Sequence, residues 1–195
     1  GSLREDLVPG DFVLVDQFID KTYLRDKSFF GEGCVAHVSL ANPTCNRLSN
    51  VILDIGKKLD IKIHLGGTYL TMEGPQFSTL AESKLYKDNW KCDIIGMTNM
   101  PEAKLAREAE ICYSSLSMVT DFDCWHPNHD FVEVTDIIKT LTNNSSKAQK
   151  IIELLPSKLL KDRDPCDSGC NTALDNAIIT SHEKRSSNKL KQLDI

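Results

Sequence analysis

The sequence has no excess of positive charge. It contains 23 Lys and Arg residues against 28 Asp and Glu residues, so the formal net charge at pH 7 is −5. A protein that binds nucleic acid usually presents a concentrated basic surface, because that surface neutralises the phosphates. The basic residues here are scattered until the last part of the chain. The composition therefore argues against nucleic acid as a partner.

Long apolar runs are also absent. No run approaches the roughly 20 residues that a membrane-spanning helix requires, so we expect no membrane role. Hydrophobic residues make up 41% and charged residues 26% of the 195 positions, which is ordinary for a globular protein. We therefore expect one domain over residues 1–160 and a polar, partly mobile tail over residues 161–195.

Cysteine occurs in an odd number, seven, so the thiols cannot all pair with one another. The seven residues are spread along the chain, and reduced thiols in the cytosol are the expected state. Cys166 and Cys170 could form a bridge or share a metal, but two cysteines at this spacing are a weak indication of either. We expect an ordinary tail at that point and no metal site.

Strand and helix patterns alternate through the middle of the sequence. Short apolar or alternating segments indicate strands, and apolar residues three and four apart indicate helices. Thr79 and Glu82 have the spacing of a capping box, and Pro156 is expected to end the last long helix. This order predicts an α/β fold with a mixed, largely parallel central sheet flanked by helices. The predicted strands span residues 12–15, 34–38, 61–64, 68–72, 93–97 and 111–118, and the predicted helices span residues 48–59, 79–90, 102–110 and 134–155.

Three predicted strands are followed by residues that can contact a ligand. In open α/β sheets, ligands bind at the carboxyl ends of the strands. An aromatic face, two hydroxyl groups and two carboxylates suit a purine nucleoside, because the base needs stacking, a hydrogen-bonded edge and a proton for its leaving nitrogen. The three segments are Glu73-Gly74-Pro75-Gln76-Phe77-Ser78, Gly96-Met97-Thr98-Asn99-Met100-Pro101-Glu102 and Thr120-Asp121-Phe122-Asp123-Cys124-Trp125.

Asp121 and Asp123 are the residues best suited to proton transfer. Side chains two positions apart on an extended backbone emerge on the same side. Burial beside Phe122 and Trp125 and repulsion between the two charges both disfavour ionisation, so one carboxyl group is expected to keep its proton near neutral pH. The alternative is that Asp123 caps the following turn and Asp121 is an ordinary surface acid.

Two other functions are compatible with this part of the chain. A metal-dependent hydrolase could use the carboxylates, thiol and imidazoles of Asp121, Asp123, Cys124, His126 and His129, which are groups that bind zinc. The proline-containing loop argues against a defined tetrahedral arrangement. The second alternative is a noncatalytic module that binds adenine nucleosides or a partner without turnover.

The three ordered motifs resemble those of the trimeric purine nucleoside phosphorylase family, specifically its 5'-methylthioadenosine phosphorylase branch. The resemblance covers residues 1–155. It implies a pentosyltransferase that converts 5'-methylthioadenosine, and adenosine as a second substrate, to adenine and the ribose 1-phosphate, in purine and methionine salvage. It further implies phosphate as co-substrate, no cofactor or metal, a homotrimer, and a location in the cytoplasm, with the nucleus as an additional one.

The same resemblance assigns roles to individual residues. Asp121 would protonate N7 of the leaving adenine, and Thr98 would contact phosphate. The remaining residues would contact the nucleoside: Phe77, Ser78, Phe122 and Asp123 around the base, Met97 at the ribose, Val134 and Ile137 at the 5' substituent, and His37 across a trimer interface in the neighbour's pocket.

The choice of purine has a physical reason. A 6-oxopurine phosphorylase of this family carries Glu where this sequence has Ser78, and Asn where it has Asp121. Adenine offers an acceptor at N1 and a donor at its 6-amino group, so a hydroxyl at Ser78 and a carboxylate at Asp123 match its edge. A site built around buried hydrogen bonds rejects the wrong base because unpaired groups remain.

The sequence departs from the family at its beginning. The family's phosphate-binding serine loop, its Arg-His pair and a Thr-Ala pair have no counterpart, so Thr98 alone remains of that group. Residues 1–5 resemble an interior stretch of the family. We therefore expect a carboxyl-terminal portion of a longer protein; otherwise the chain is not an active phosphorylase by itself.

Overall fold

The computed structural model of the chain describes residues 1–127, 134–159 and 166–193, without the side chain of Asp136. The strands are β1 (Phe12–Val15), β2 (Gln17–Asp20), β3 (Ile63–Leu65), β4 (Thr68–Thr71), β5 (Ile94–Gly96) and β6 (Ser115–Met118). The helices are α1 (Asn46–Lys58), α2 (Leu80–Lys84), α3 (Glu102–Glu108), α4 (Val134–Lys158) and α5 (Ser187–Leu193).

The strands form two three-stranded sheets, β3-β1-β6 and β2-β4-β5. Three of the four strand pairings are parallel, and β1 with β6 is the antiparallel one. The predicted α/β class with mixed, largely parallel pairing is confirmed. The single central sheet is replaced by two, because the chain bends between β1 and β2 at Asp16 and between β3 and β4 at Gly66 and Gly67. Asp16 and Gly67 meet at this bend, where the Asp16 N–H donates to the Gly67 carbonyl (3.2 Å).

Strand β1 lies at the centre of the core, and all four of its residues are buried. Phe12 and Leu14 pack against apolar side chains of α1 and α4. Val13 and Val15 face the other way, toward Tyr69 of β4 and a neighbouring residue of β5. A strand that alternates between two apolar layers is buried on both faces, which the continuous apolar run of β1 requires.

Two predicted boundaries are corrected. The segment 34–38 is not a sheet strand. Among the described residues it pairs through two isolated bridges, Cys34 with Gly31 and Ala36 with Ile178, and the second partner lies far along the chain, where periodicity cannot reveal it. Helix α4 continues through Pro156 to Lys158. The missing N–H of a proline costs least near the exposed end of a helix, where few later turns depend on it.

The predicted capping box is present at the start of α2. Thr79 Oγ1 accepts from the Glu82 N–H (3.2 Å), and Glu82 Oε2 accepts from the Thr79 N–H (2.9 Å). The helix then continues as a π-helical turn over residues 85–89. This start fixes the direction in which the chain leaves the Phe77–Ser78 corner. Within the described residues, no helix combines the length and apolar character needed to cross a membrane.

Residues 166–193 lie against the loop that precedes α1. The His37 N–H donates to the Ala177 carbonyl (2.8 Å), and the Ile179 N–H donates to the Val35 carbonyl (3.0 Å). Earlier in the segment, the Leu174 N–H donates to a carboxylate oxygen of Glu110 (2.9 Å). These contacts tie the carboxyl-terminal segment to the loop before α1 and to the residues that follow α3.

An ion cluster joins the end of β2 to α3. The Asp20 carboxylate accepts from Lys104 Nζ and from the Thr22 N–H and hydroxyl (2.9 and 2.6 Å). Lys27 Nζ lies 3.2 Å from it. Burial alone would raise the pKa of Asp20, but the hydrogen bonds from Lys104 and Thr22 outweigh burial and lower the pKa well below its ordinary value.

We predict that Asp20→Asn lowers the free energy of unfolding by about 2 kcal/mol at pH 7, because it leaves buried donors without a charged partner. The folded-state pKa is depressed, so the stabilisation is present above the unfolded pKa of about 4 and is lost as pH falls. Urea unfolding should therefore show the difference shrinking below about pH 4. Asp54→Asn is the control, since the exposed Asp54–Lys57 pair contributes under about 0.5 kcal/mol.

Candidate nucleoside-binding site

The three sequence motifs contact one another in the fold. A Cβ on Gly74, where φ is +75°, would lie only 2.6 Å from Met97 Sδ. The Cys124 thiol donates to the Ser78 carbonyl (3.4 Å). These two contacts place the segment 73–78 between the other two motifs.

The Asp121 segment reaches this place by a route that the predicted topology missed. Strand β6 runs antiparallel to β1 and belongs to the other sheet, so its end does not share an edge with β4 and β5. Instead, Ser2 bridges the two: its N–H donates to the Asp121 carbonyl (2.7 Å), and Ser2 itself pairs with Ile94 of β5. The acid pair thus lies beside β5 through the first residues of the chain.

The two acids have different surroundings. Asp121 Oδ2 accepts from the Thr120 hydroxyl (2.6 Å) and Asp121 Oδ1 from the Asp123 N–H (2.8 Å), so the carboxylate is held in one orientation. Its side chain is 18% exposed. It is therefore Asp121 that closes the local turn, whereas the sequence left open that Asp123 does so.

Asp123 is the buried acid of the pair, with only 9% of its surface exposed. Its backbone has φ of +52°, a left-handed conformation that Asp tolerates better than most residues. Burial raises the pKa of this carboxyl group, so it keeps a proton more readily than an ordinary aspartate. Asp123 Oδ2 and Ser83 Oγ are buried and have no well-aligned hydrogen bond in the described part of the chain, although Ser83 is close enough to the Asp123 carboxyl group to act against the rise of its pKa. The carboxyl group therefore keeps bonding capacity for another group.

The two phenylalanines of the motifs are used differently. Phe122 is buried, and its ring packs edge-on against Trp125 at 6.2 Å between centroids. Trp125 in turn donates from its indole N–H to the Ser2 carbonyl (2.7 Å). Phe77 is 51% exposed at the strand-to-helix corner. Phe77 therefore presents an aromatic face to solvent, while Phe122 supports the acid-bearing turn.

A cavity of about 340 Å³ lies between β5 and β6. Its lining includes Tyr69, Thr98, Asn99, Ser115 and Val119. The Tyr69 and Thr98 hydroxyl groups are 3.1 Å apart. Of the predicted site residues that the structure describes, only Thr98 is among the residues that line this cavity. Gly1 lines it too and packs against Asp121 and Asp123, whereas Phe77 is not part of the lining.

Sequence reasoning did not single out the polar residues around Thr98. Asn99 Oδ1 accepts from the Tyr113 hydroxyl (2.9 Å) and from the Ser115 hydroxyl (2.8 Å), and its backbone has φ of +73°. Asn is among the few residues that adopt this conformation readily. The Thr98-Asn99 pair at a strand end was the available signal, but its partners come from β6 and the loop before it.

The other predicted residues lie farther out. His37 is exposed on the loop held by residues 177–179, and Val134 is exposed at the start of α4, with Ile137 half-buried one turn later. His129 lies outside the described residues. The described members of the alternative hydrolase ligand set do not form a metal-binding group. His126 Nε2 is 3.0 Å from Glu5, and the one described group of thiols, imidazoles and carboxylates close enough to hold an ion lies elsewhere.

Comparison with known proteins identifies the family of the chain. Residues 1–155 match the model of a family described as the Phosphorylase superfamily. The chain belongs to the phosphorylase superfamily. Among superfamily relatives, the chain is 59% identical to the S-methyl-5'-thioadenosine phosphorylase of Cereibacter sphaeroides and 55% identical to that of Bradyrhizobium diazoefficiens, each over all of this chain. The predicted family resemblance is confirmed.

Solved superfamily structures share the fold. A methylthioadenosine phosphorylase from an antarctic soil metagenomic library superposes with a TM-score of 0.90 at 44% identity, covering 100% of this chain and 68% of its own. A Schistosoma mansoni methylthioadenosine phosphorylase in complex with adenine superposes with a TM-score of 0.77 at 34% identity, covering 80% of this chain and 61% of its own. The chain spans about two thirds of the length of the curated relatives, 67% and 66% for the two named above.

We predict that Asp123→Asn stabilises the protein at pH 7. Because burial raises the folded-state pKa of Asp123, ionisation opposes folding as pH rises above the unfolded value of about 4. A neutral amide removes that cost, so the melting temperature should rise by about 2–4 °C, corresponding to about 1 kcal/mol. Calorimetry at several pH values measures this.

The gain should disappear below about pH 4, where the aspartate is protonated in both states. Asp88→Asn, at an exposed position after α2, is the matched control and should stay within about 0.5 kcal/mol of the parent. A melting temperature lowered equally at all pH values would contradict the idea that ionised Asp123 is unfavourable.

Proposed function

We propose that the protein cleaves 5'-methylthioadenosine by phosphorolysis, releasing adenine and 5-methylthioribose 1-phosphate, with adenosine as a second substrate. Two observations support this together. The relatives named S-methyl-5'-thioadenosine phosphorylase align over all of this chain, and Asp121, which is oriented by two hydrogen bonds, is two residues from the buried carboxyl group of Asp123.

Asp121 acts on the leaving base. As the bond from C1' to N9 stretches, the ribosyl group gains positive charge and a phosphate oxygen forms the new bond to C1'. The electron pair moves into the purine, N7 becomes more basic, and Asp121 gives its proton to N7, so adenine leaves neutral. Such an acid contributes mainly through charge stabilisation in the transition state. The hydrogen bonds from Thr120 and Asp123 keep the carboxyl group aimed.

Base selection uses the neighbouring residues. Phe77 stacks on the purine, the Ser78 hydroxyl donates toward the base edge, and Asp123 Oδ2 accepts from the 6-amino group. Asp123 Oδ2 is buried without a well-aligned hydrogen bond among the described residues. In its ionised form it would accept from a 6-amino group, whereas a 6-oxo group would bring an acceptor against an acceptor. Phe122 holds the turn that carries both acids.

The remaining assignments follow the resemblance. Met97 contacts the ribose, Thr98 contacts phosphate, and Val134 and Ile137 favour a methylthio group over a hydroxyl by about 1–3 kcal/mol. His37 enters a neighbouring subunit's pocket, so the active form is a homotrimer. Phosphate is the co-substrate, and the proposed reaction includes no cofactor.

In this proposal residues 1–160 carry the chemistry and residues 161–195 lie outside it. The reaction serves purine and methionine salvage in the cytoplasm, with the nucleus as a second location. A noncatalytic nucleoside-binding role is the competing function, and turnover decides between them. Release of adenine that depends on phosphate supports phosphorolysis, whereas release without phosphate indicates a hydrolase.

We predict that Asp121→Asn lowers kcat for 5'-methylthioadenosine by about 100- to 10,000-fold. Binding of adenine should weaken less than tenfold, since the interaction strengthens only as N7 gains charge. Adenine release by chromatography gives the first quantity and calorimetric titration the second, both on the full-length protein. Asp88→Asn is the control for a lost surface charge. Unchanged kcat in Asp121→Asn would remove the acid role.

We predict that Ser78→Glu combined with Asp121→Asn shifts preference from 6-amino to 6-oxo nucleosides. Glutamate can accept from the protonated N1 of inosine, and asparagine can bond to its N7 without needing to be protonated. The ratio of kcat/KM for inosine to that for adenosine should rise at least about tenfold. Each single variant serves as a control for the pair, and an unchanged ratio in the double variant would refute the account of base choice.

A further inference from the structure

Four cysteine side chains meet at a place away from the nucleoside site. Cys45 immediately precedes α1, Cys112 follows α3, and Cys166 and Cys170 begin the carboxyl-terminal segment. Their Sγ atoms all lie within 4.8 Å of one another. Three of the four are buried, Cys112 is half-buried, and all are free thiols. Residues separated by more than a hundred positions thus converge on a single cluster.

The spacing of these sulfur atoms suits a tetrahedral metal site. Zinc bound by four thiolates at about 2.3 Å holds the sulfurs about 3.8 Å apart. Sulfurs within 4.8 Å therefore need shifts of about 1 Å or less to reach that geometry, well within side-chain rotation. A set of four soft sulfur ligands without oxygen favours zinc over magnesium or calcium.

The turn between Cys166 and Cys170 supports a thiolate. The Cys170 backbone N–H donates to Cys166 Sγ (3.1 Å), and Gly169, with φ of +61°, allows the chain to fold back. The Gly169 N–H closes the turn on the Cys166 carbonyl (2.8 Å). Hydrogen bonds from backbone N–H groups to ligand sulfurs orient them and stabilise their charge in metal sites.

Positive charge is also placed beside the cluster. Arg47 Nη2 lies 3.5 Å from Cys112 Sγ. Arg107 is buried and donates to the carbonyls of Ser168 (2.8 Å) and Asn42 (2.5 Å), which fixes the Cys166–Cys170 turn against the loop that leads to Cys45. Four thiolates around a divalent cation have a net charge of −2, which the two guanidinium groups offset.

A buried thiolate needs a counterion. A divalent metal ion supplies that charge and deprotonates the thiols that bind it.

We propose that Cys45, Cys112, Cys166 and Cys170 bind one zinc ion as a structural site that fastens the carboxyl-terminal segment to the domain. Four protein ligands leave no open position for substrate, which is the coordination of structural rather than catalytic zinc. The fastened segment donates to and accepts from the backbone around His37, so the ion also holds that loop. This inference does not depend on the proposed phosphorolysis.

The test is metal analysis of the full-length protein, expressed with zinc in the medium and purified with a reductant and without chelator. We expect about one zinc per chain, and a loss of at least about tenfold in Cys112→Ser and in Cys166→Ser. Cys34→Ala and Cys92→Ala are the controls, because both thiols are buried but lie outside the cluster; they should keep the metal. Circular dichroism verifies that each variant is folded.

Two further measurements keep the proposal open to refutation if a variant unfolds. Replacing zinc by Co²⁺ in the parent protein should give intense thiolate-to-cobalt charge-transfer absorption, and a chelator should speed proteolytic cleavage within residues 166–193. Folded, reduced protein without stoichiometric metal would overturn the proposal. A mass showing disulfides among the four cysteines in protein purified under these conditions would overturn it equally, as would metal retained in both serine variants.

Discussion

The rest of the structure depends on one bend, at which the chain passes from one sheet into the other both between β1 and β2 and between β3 and β4. Asp16 lies between β1 and β2, Gly66 and Gly67 lie between β3 and β4, and the Gly67 N–H donates to Asp16 Oδ1 (3.0 Å). Both glycines have positive φ, a conformation that costs other residues energy. From β1 to β2 and from β3 to β4, the chain passes from one sheet into the other at the same bend. This bend lets β1 bury both of its faces and brings β4 and β5 close to the end of β6.

The site built on this framework combines side chains held in fixed orientations with one buried polar group that lowers stability. Asp121 is fixed by two hydrogen bonds, and the Trp125 indole anchors the turn to Ser2. Asp123, by contrast, is buried, and its Oδ2 has no well-aligned hydrogen bond in the described part of the chain. Native proteins usually avoid such a group because it lowers stability. A destabilising polar group beside an oriented acid is expected at a site where that group forms its hydrogen bond with a ligand and not within the folded protein.

Two different kinds of contact join the carboxyl-terminal segment to the domain, one near each end of the segment. Backbone hydrogen bonds join residues 177–179 to the loop around His37, and the cysteine cluster joins the start of the segment to α1 and to the end of α3. Arg107 links the same regions through carbonyl groups. Because these contacts involve few apolar side chains, polar and sulfur interactions must supply much of the cohesion that a core would otherwise provide.

The sequence by itself determined the family, the capping box of Thr79 and Glu82, the helical stripes and the three motifs, because each of these is a local pattern that short-range physics enforces. Only the tertiary structure decided that β6 runs antiparallel in a second sheet, that the Val35–His37 stretch pairs with residues 177–179, and that Cys45 and Cys112 lie beside Cys166 and Cys170. It also decided which of the two acids is buried. These features arise from contacts between residues far apart in the chain, and no periodicity within one segment carries information about a partner that distant.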